Sequence, residues 1–400
     1  MVAMQPSTNA PASLFGMPGV TRPLETKENN DGTTTTLSQT NSVQVTGWIP
    51  YKQTDVIYGW RLNVSHALTL TPGTGTITVS GLFPDNFLGN VQLNMQNAFS
   101  TINVASGYDL MLFDELRKYR KQARKLAAYG TPTAGNYNVQ SNLVTASNYT
   151  SSSTAIKRSY MLPAGLHFDE YIELDRDGNI LSRPIQGFVS PQFMAGTARI
   201  VTPIVTMNPL FGTTGDLGPY TATGVATASG TTTWSHRRIG IYQPQGDADS
   251  PPVFNWQLVR KTYPFSLSGV SSANIPINFN GQILGMYVRF YDPAAASSVG
   301  APINLTAVTE CDVVYGSGLF RYQDVPLDTE ERQYDQIGEQ LGVGVLAWDF
   351  ARDERDNLTN RYALNTLNTS GIQVQVTFTG TQSSSAYAMV GIEGLQYVEI

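Results

Sequence analysis

The residues best suited to catalysis stand in one polar segment near the C-terminus. It carries four carboxylates, Asp349, Asp353, Glu354 and Asp356. Glycoside hydrolysis needs two carboxyl groups held about 5 to 9.5 Å apart across a cleft. The same segment also carries three arginines, Arg352, Arg355 and Arg361. Because the opposite charges are interleaved, we interpret the segment as a salt-bridged loop at a surface or an interface rather than as a glycosidase pair.

The remaining chemistry-bearing residues match no metal-binding or nucleophile pattern. The DRDGN segment (175–179) offers oxygen ligands for calcium, but a calcium loop needs Gly at position six and Glu at position twelve. Here Gly178 is fourth and Gln186 is twelfth, so a hairpin turn is favoured. The three histidines (His66, His167, His236) and the single cysteine, Cys311, have no metal-ligand spacing. We predict no catalytic residues, no metal site and no cofactor, and for His66 a hydrogen-bonded place in the core.

A basic segment, residues 114–129, shows helical spacing. Its apolar stripe comprises Leu112, Leu116, Tyr119, Ala123 and Leu126. Asp114 is the predicted start and Gly130 the predicted end. The other faces carry six lysines and arginines, which fit contact with nucleic acid or anionic lipid, or else a solvated face on a helix that packs on a sheet. The acidic overall charge favours the second interpretation.

Composition indicates an all-β protein with two domains. The 400 residues are 41% hydrophobic and only 14% charged, and 36 glycines and 22 prolines provide frequent turns. The net charge of −6 argues against a nucleic-acid coating protein, and we expect no sequence-specific nucleic-acid binding. No apolar run reaches the roughly 18 residues that a spanning helix needs, and the N-terminus has no apolar secretory core. One cysteine excludes an internal disulfide and fits synthesis in a reducing cytoplasm.

Alternating apolar residues predict a series of strands. The longest is 56–70, and the clearest is 372–378, where Ile372, Val374, Val376 and Phe378 share one face. Further strands are predicted at 76–83, 90–95, 100–106, 198–206 and 234–242, with a hairpin over 170–185. These short strands, separated by turn residues, are typical of sandwiches and jelly rolls.

Four matches in the same order indicate an internal repeat. Residues 57–62 (IYGWRL) match 283–288 (ILGMYV), each seven residues after a proline. Residues 108–119 then match 323–334. The last two matches are 166–169 with 346–349, and 198–206 with 371–378. Because the order is shared, we infer two copies of one fold.

The predicted organisation has four parts. Residues 1–41 are an extended N-terminal arm without periodicity, so that deleting 1–40 should leave the protein folded and impair its assembly with other copies. Residues 42–245 form jelly roll 1 and residues 253–400 form jelly roll 2. The polar, proline-ended stretch 246–252 is the linker.

These features together resemble a double jelly-roll major capsid protein. The resemblance lies in the arm, the I-x-G strand of each half (Ile57, Gly59; Ile283, Gly285) and the closing segment 344–378. The family is that of tailless, membrane-containing icosahedral bacteriophages, tectivirus-like and related to adenovirus hexon. The resemblance implies an all-β fold of two tandem eight-stranded jelly rolls with a few short helices in loops.

The resemblance also implies a function and partners. Three chains would form a pseudo-hexameric capsomer, a homotrimer that tiles with neighbouring capsomers into an icosahedral shell around a dsDNA phage genome, over an internal membrane. Partners would be penton and minor capsid or membrane proteins, with the arm near the membrane. The protein would be a non-enzymatic virion component made in the host bacterial cytoplasm. The alternative is a carbohydrate-binding or receptor-binding phage protein, since lectins also use jelly rolls.

Overall fold

The computed structural model contains 23 strands and one α-helix in the part of the chain that it describes. The described residues are 23–46, 49–50, 55–71, 73–79, 85–95, 101–119, 152–163, 173–174, 180–181, 200–211, 218–242, 256–292, 301–303, 305–315, 319–324, 344–350, 364–366 and 371–397.

Two groups of eight strands form two jelly rolls, with strands B to I lettered in chain order in each. In jelly roll 1 these are β1 (Pro23–Leu37), β2 (Val43–Thr46), β4 (Asp55–Thr71), β6 (Leu88–Met95), β7 (Thr101–Ala105), β8 (Ser152–Pro163), β11 (Ile200–Met207) and β13 (Thr227–Tyr242). In jelly roll 2 they are β14 (Trp256–Ser266), β15 (Ser272–Pro276), β16 (Gln282–Asp292), β18 (Val308–Tyr315), β19 (Leu319–Asp324), β20 (Val345–Asp349), β22 (Gln373–Phe378) and β23 (Tyr387–Tyr397).

The remaining strands are short. They are β3 (Ile49–Pro50), β5 (Thr76–Val79), β9 (Glu173–Leu174), β10 (Ile180–Leu181), β12 (Tyr220–Thr223), β17 (Ala301–Pro302) and β21 (Leu364–Asn365). β9 pairs with β10, which confirms the hairpin predicted over 170–185. The helix, α1, spans Gly107–Tyr119.

Each jelly roll has the same two sheets. The strand orders are β1-β13-β4-β8 and β2-β11-β6-β7 in jelly roll 1, and β14-β23-β16-β20 and β15-β22-β18-β19 in jelly roll 2. Both correspond to B-I-D-G and C-H-E-F. The predicted fold class, two tandem eight-stranded jelly rolls, is therefore confirmed. β22 shows why the sequence pattern works, because its burial alternates residue by residue along the predicted apolar face.

The prediction that residues 1–41 form an extended arm outside jelly roll 1 is wrong for residues 23–37. This segment is strand B of jelly roll 1 and pairs antiparallel with β13, from Pro23 opposite Ile241 to Leu37 opposite Gly230. The segment PLETKENNDGTTTTL has no alternating apolar pattern because it is an edge strand held by backbone hydrogen bonds. Jelly roll 1 thus begins before residue 42. The predicted linker, 246–252, lies outside the described residues.

Three β-bulges recur at matching places in the two jelly rolls and support the predicted repeat. Between strands D and I, the extra residue is Tyr58 in one copy and Leu284 in the other. Between E and H, it is Gly89 and Thr309. A bulge interrupts the ladder of hydrogen bonds at one residue. Equivalent bulges therefore align the residue numbers of the two jelly rolls without ambiguity.

The third bulge lies between strands E and F, at Ile102 and Arg321. The bulges confirm the predicted match of 57–62 with 283–288, and the two H strands correspond as predicted. The match of 166–169 with 346–349 is wrong, since strand G of jelly roll 1 is β8, which ends at Pro163.

The two jelly rolls are joined through a continuous sheet. Strand F of jelly roll 1 pairs in parallel with strand B of jelly roll 2, through Asn103 opposite Arg260 and Val104 opposite Lys261. This short ladder connects the C-H-E-F sheet of jelly roll 1 to the B-I-D-G sheet of jelly roll 2, giving one sheet of eleven strands.

Candidate assembly interface

Helix α1 positions the charged residues that join the two jelly rolls. It begins seven residues before the predicted start at Asp114, because Ser106 caps it. The Ser106 hydroxyl accepts a hydrogen bond from the Asp109 backbone N–H at 3.1 Å and donates one to the Asp109 carboxylate. Ser106 is therefore the N-cap residue of α1, and its hydroxyl binds both the backbone N–H and the carboxylate of Asp109. The cap also fixes the orientation of the Asp109 side chain. The predicted basic residues after Tyr119 lie outside the described part.

Asp109 of jelly roll 1 meets Arg289 and Tyr287 of jelly roll 2 in a buried cluster. The Tyr287 hydroxyl donates to Asp109 Oδ1 at 2.9 Å, and Arg289 Nη2 donates to the same oxygen at 3.2 Å. Asp109 is 1% exposed and Arg289 2%. The Arg289 guanidinium also lies over the rings of Tyr108 and Tyr291, at 5.1 and 4.8 Å from their centroids. Each jelly roll therefore supplies one charge of a desolvated ion pair.

A second arginine, Arg260, crosses the same boundary. Its Nε donates to Glu393 Oε2 at 2.8 Å, within jelly roll 2. Its Nη1 donates to Asp114 Oδ1 at 2.9 Å and to the Met161 carbonyl at 3.1 Å, both in jelly roll 1. The guanidinium lies 5.2 Å from the centroid of the Phe113 ring. Arg260 is fully buried, so its charge depends on these fixed partners.

Burial and charge act in the same direction on the pKa of Tyr287 and in opposite directions on the pKa of Arg289. Burial raises the pKa of Tyr287 well above its ordinary value, and the neighbouring Asp109 carboxylate raises it further. For Arg289, burial alone would lower the pKa, but Asp109 and the surrounding tyrosines raise it. Tyr287 therefore stays a neutral donor and Arg289 stays charged at any physiological pH.

Apolar packing continues across the boundary. The core cluster of jelly roll 1 includes three residues from the outer face of the jelly roll 2 sheet, Tyr287, Val345 and Ala347. The Phe113 ring packs edge-on against Tyr287, with centroids 5.1 Å apart. Gly391, opposite Tyr287, makes room for the ring, because a Cβ there would meet it at 2.1 Å. The two jelly rolls therefore share part of one core.

The outer face of the B-I-D-G sheet in jelly roll 1 is different. Apart from Arg61 and Met161, its described side chains are small and mostly polar, and none of the described elements covers these small side chains. They include Thr34, Asn63, Ser65, Ser159, Thr233 and Ser235, and Thr34 and Thr233 share a hydrogen bond at 3.3 Å. A depression of about 320 Å³ crosses this face, lined by Asn63, Val64, Ser65, Arg158, Ser159, Thr233, Trp234 and Ser235. Since alternate residues point into the core, Val64 and Trp234 contribute mainly backbone to its floor.

Polar residues inside jelly roll 1 are part of its packing. His66 Nδ1 lies 2.7 Å from the Thr232 hydroxyl, and the imidazole stacks on Phe87 at 4.2 Å. This confirms the predicted hydrogen-bonded core histidine. Burial, and then the charge of Arg158, lowers the pKa of His66 to about 3, so the ring is neutral.

Asp85, just before strand E, accepts hydrogen bonds from two residues of strand G. Tyr160 donates to it at 2.9 Å and Arg158 at 3.1 Å. Burial raises the pKa of Asp85, while the positive charge of Arg158 acts against that shift. These contacts tie the two sheets of jelly roll 1 together.

The carboxylates considered for glycosidase chemistry are not brought together in the described structure. Asp353, Glu354 and Asp356 lie outside the described residues, and Asp349 ends strand β20, where it pairs with Gly285. The DRDGN turn also lies outside them. Within the described ranges, no group of three or more histidine, cysteine or carboxylate side chains is placed to hold a metal. The described helix is too short and too polar to cross a membrane.

Several residues of this interface were not found from the sequence. Arg260, Arg289 and Glu393 stand in strands among apolar residues, and their partners are more than 100 residues away in the chain. One usable signal was present, because a charge within an otherwise apolar strand needs a buried partner.

Solved structures with a similar fold were found, although no similar sequence was. No family model matches the chain, and no curated protein matches it. Over 94% of its length the chain is similar to the major capsid protein of Sulfolobus Turreted Icosahedral Virus, with 12% identity, 97% of that chain covered and a TM-score of 0.56. The chain has the double jelly-roll fold. The fold is shared with the PBCV-1 capsid protein VP54, at 13% identity, 93% of that chain covered and a TM-score of 0.52.

Proposed function

We propose that this double jelly-roll chain is a viral major capsid protein that associates into trimers. The observation that supports the proposal is the contrast between the two B-I-D-G sheets. The outer face of the sheet in jelly roll 2 is covered by helix α1 of jelly roll 1, whereas the equivalent face of jelly roll 1 is free in the described chain. A molecule with one interface used internally and its counterpart left open is built for head-to-tail association.

Closure of such a ring follows from the repeat. Each chain contributes two similar units. Inside the chain, jelly roll 1 covers the outer face of jelly roll 2, and the same kind of contact forms between chains when jelly roll 2 of one copy covers jelly roll 1 of the next. Three chains then give six units in a ring, a pseudo-hexameric capsomer. Heterologous contacts form closed rings when the rotation between units closes. The hexagonal outline allows capsomers to tile into an icosahedral shell.

Polar composition fits this assembly. The free face of jelly roll 1 carries hydroxyl and amide groups rather than exposed apolar side chains, and the one large hydrophobic residue exposed among the described residues is Val225. Interfaces between separately folded chains carry many hydrogen bonds and bridging waters, and resemble the rest of the surface in polarity. The face can therefore stay in water before assembly and form hydrogen bonds afterwards.

Neighbouring capsomers, penton and minor capsid or membrane proteins, and a membrane beneath the shell complete the proposed set of partners. Assembly would occur in the cytoplasm of a bacterial host. Residues 1–22 are the part of the predicted arm that precedes strand B, and we propose that they contact these partners.

The proposed role is geometric and does not involve turnover. Three of the four buried carboxylates among the described residues, Asp85, Asp109 and Glu393, bind arginines of the fold. A carbohydrate-binding function would use an exposed aromatic platform, yet Trp60, Trp234 and Trp348 are at most 3% exposed.

The experiment that tests the proposal is a mass measurement in solution followed by electron microscopy of the same sample. We expect a particle of about 130 kDa, three times the 43.5 kDa chain, with a six-cornered outline. A monodisperse monomer at high protein concentration would overturn the proposal. Binding of glycans by that monomer would favour the carbohydrate-binding alternative instead.

A further inference from the structure

Several described strands are sheet edges with one unpaired side, and two of them, β1 and β19, are a B strand and an F strand. Among the described strands, β1 pairs only with β13, and β19 pairs only with β18. They are strand B of jelly roll 1 and strand F of jelly roll 2. Both present unpaired backbone N–H and C=O groups, which readily accept another strand.

The chain already contains the matching contact. Strand F of jelly roll 1 pairs in parallel with strand B of jelly roll 2, through β7 and β14. The two free edges are therefore the remaining F and B strands of the molecule. Because the two jelly rolls are copies of one unit, a contact between F and B inside the chain has a counterpart between chains.

We propose that β19 of one copy pairs in parallel with β1 of the next copy, so that the sheets run without interruption around the trimer. The inference rests on the proposed trimer and adds to it the strands and the register. A ladder of backbone hydrogen bonds would fix the position of each subunit along the strand direction relative to its neighbour. Side-chain contacts on a polar face would fix that position less precisely.

The bulges assign the register on the F side. In jelly roll 1, Asn103 lies opposite Leu93 immediately after the bulge at Ile102. In jelly roll 2, Tyr322 lies opposite Val313 immediately after the bulge at Arg321. Tyr322 is therefore the counterpart of Asn103, and Gln323 that of Val104.

The register on the B side follows in the same way. In jelly roll 2, Arg260 lies opposite Glu393, and Glu393 is the strand I residue that pairs with Gly285, immediately after the D–I bulge at Leu284. In jelly roll 1, the strand I residue that pairs with Gly59, immediately after the bulge at Tyr58, is Ile239. Ile239 lies opposite Glu25. Glu25 is therefore the counterpart of Arg260, and the adjacent residue Thr26 that of Lys261.

These correspondences predict which residues of β19 and β1 pair in the inferred ladder. Since Asn103 pairs with Arg260 inside the chain, Tyr322 pairs with Glu25 of the neighbouring copy, and Gln323 pairs with Thr26. Continuing the inferred ladder by one residue in the parallel direction places Asp324 beside Lys27 of the neighbouring copy. An antiparallel arrangement would place Lys27 beside Phe320 instead.

Cysteine cross-linking tests this register in the full-length protein. Paired residues on adjacent strands lie about 4.8 Å apart, within the roughly 4.4 to 6.8 Å that a disulfide spans. The chain has one native cysteine, Cys311, which is buried and does not compete. We expect Glu25→Cys with Tyr322→Cys to give, on oxidation, a covalent trimer of about 130 kDa on a non-reducing gel, three times 43.5 kDa.

Four further double variants accompany this pair. Val104→Cys with Lys261→Cys should form its disulfide inside one chain and keep the monomer mass. Thr36→Cys with Tyr322→Cys moves one cysteine eight ladder positions along β1, from opposite Ile239 to opposite Thr231, which is about 26 Å, and should give about tenfold less cross-linked trimer. Lys27→Cys should cross-link with Asp324→Cys and not with Phe320→Cys, which establishes the parallel direction.

Each outcome decides the inference. Cross-linking of the 25–322 and 27–324 pairs above the shifted control supports it. A trimer by solution mass in which neither pair cross-links above that control overturns the strand pairing and leaves the proposed capsid function standing. Absence of any trimer in the wild-type protein overturns the proposed function, and the strand pairing with it.

Discussion

The outer faces of the two B-I-D-G sheets share a fold position and differ in chemistry. In jelly roll 2 this face holds Tyr287, Arg289 and Arg260, all buried under helix α1. In jelly roll 1 the residue at the position of Tyr287 is Arg61, which lies opposite Met161, and most of the other described side chains on this face are small hydroxyl and amide groups. A permanent contact within one chain tolerates buried charge because its partners are always present. A face that is first free and later covered must remain soluble.

The first prediction concerns the strand that the sequence concealed, and it has the largest expected effect. Deleting residues 1–37 removes β1 and exposes the edge of β13, so we expect jelly roll 1 to lose its cooperative unfolding transition. Deleting residues 1–22 should leave unfolding of the subunit unchanged. Urea titration followed by tryptophan fluorescence measures both, since Trp60 and Trp234 report on jelly roll 1. A folded, cooperative 1–37 deletion would show that β1 is dispensable.

The second prediction concerns the buried Asp109–Arg289 ion pair on the covered face of jelly roll 2. Asp109→Ala leaves Arg289 buried without its carboxylate and should cost about 3 to 5 kcal/mol of unfolding free energy. The triple variant Asp109→Leu, Tyr287→Phe, Arg289→Met replaces the polar cluster with apolar groups and should recover most of that loss. Thr233→Ala on the free face is the matched control and should change stability by no more than about 0.5 kcal/mol. Equal losses at Asp109 and Thr233 would contradict the contrast between the two faces.

The third prediction concerns acid and the core of jelly roll 1. His66 has a pKa of about 3 in the folded protein and 6.5 in the unfolded chain. The unfolded chain therefore binds the proton first, and the stability that the neutral ring contributes at pH 7.5 is lost as the pH falls from 6.5 towards 3. At pH 5 the expected loss from this residue is about 2 kcal/mol.

His66→Asn removes the titrating group and keeps a polar partner for Thr232. The variant should be less stable at pH 7.5 but should lose less on acidification to pH 5. Urea unfolding at both pH values measures the difference. If wild type and variant lose the same stability between the two pH values, His66 is not the group responsible.

The fourth prediction has the smallest effect on the subunit and the clearest effect on assembly. Thr233→Arg places a long charged side chain on the free face of jelly roll 1. The subunit should unfold within about 0.5 kcal/mol of wild type, because the residue is exposed. The trimer should dissociate at concentrations where wild type remains assembled, as measured by light scattering. An unchanged trimer would show that this face is not used between chains.

Prediction from the sequence succeeded where burial follows a local period. The alternation in residues 372–378 predicted the strand β22, and the spacing of Leu112 and Leu116 predicted one buried side of α1. The I-x-G match predicted the repeat, and the bulges at Tyr58 and Leu284 show why it works. The same local geometry requires the same neighbours in both copies.

Prediction failed where structure depends on distant partners. Residues 23–37 lack any apolar alternation, and only pairing with β13 makes them a strand. The start of α1 was misplaced because Ser106, and not Asp114, supplies the cap.

The sequence by itself determined the fold class, the duplication and the absence of a recognisable catalytic pattern, because alternation and turn residues are local properties. Only the tertiary structure decided that Arg260 and Arg289 lie at the boundary between the jelly rolls, since their partners Asp114 and Asp109 come from a helix about 150 residues earlier or more. It also decided which edges remain free, because an edge is defined by the strands that do not pair with it.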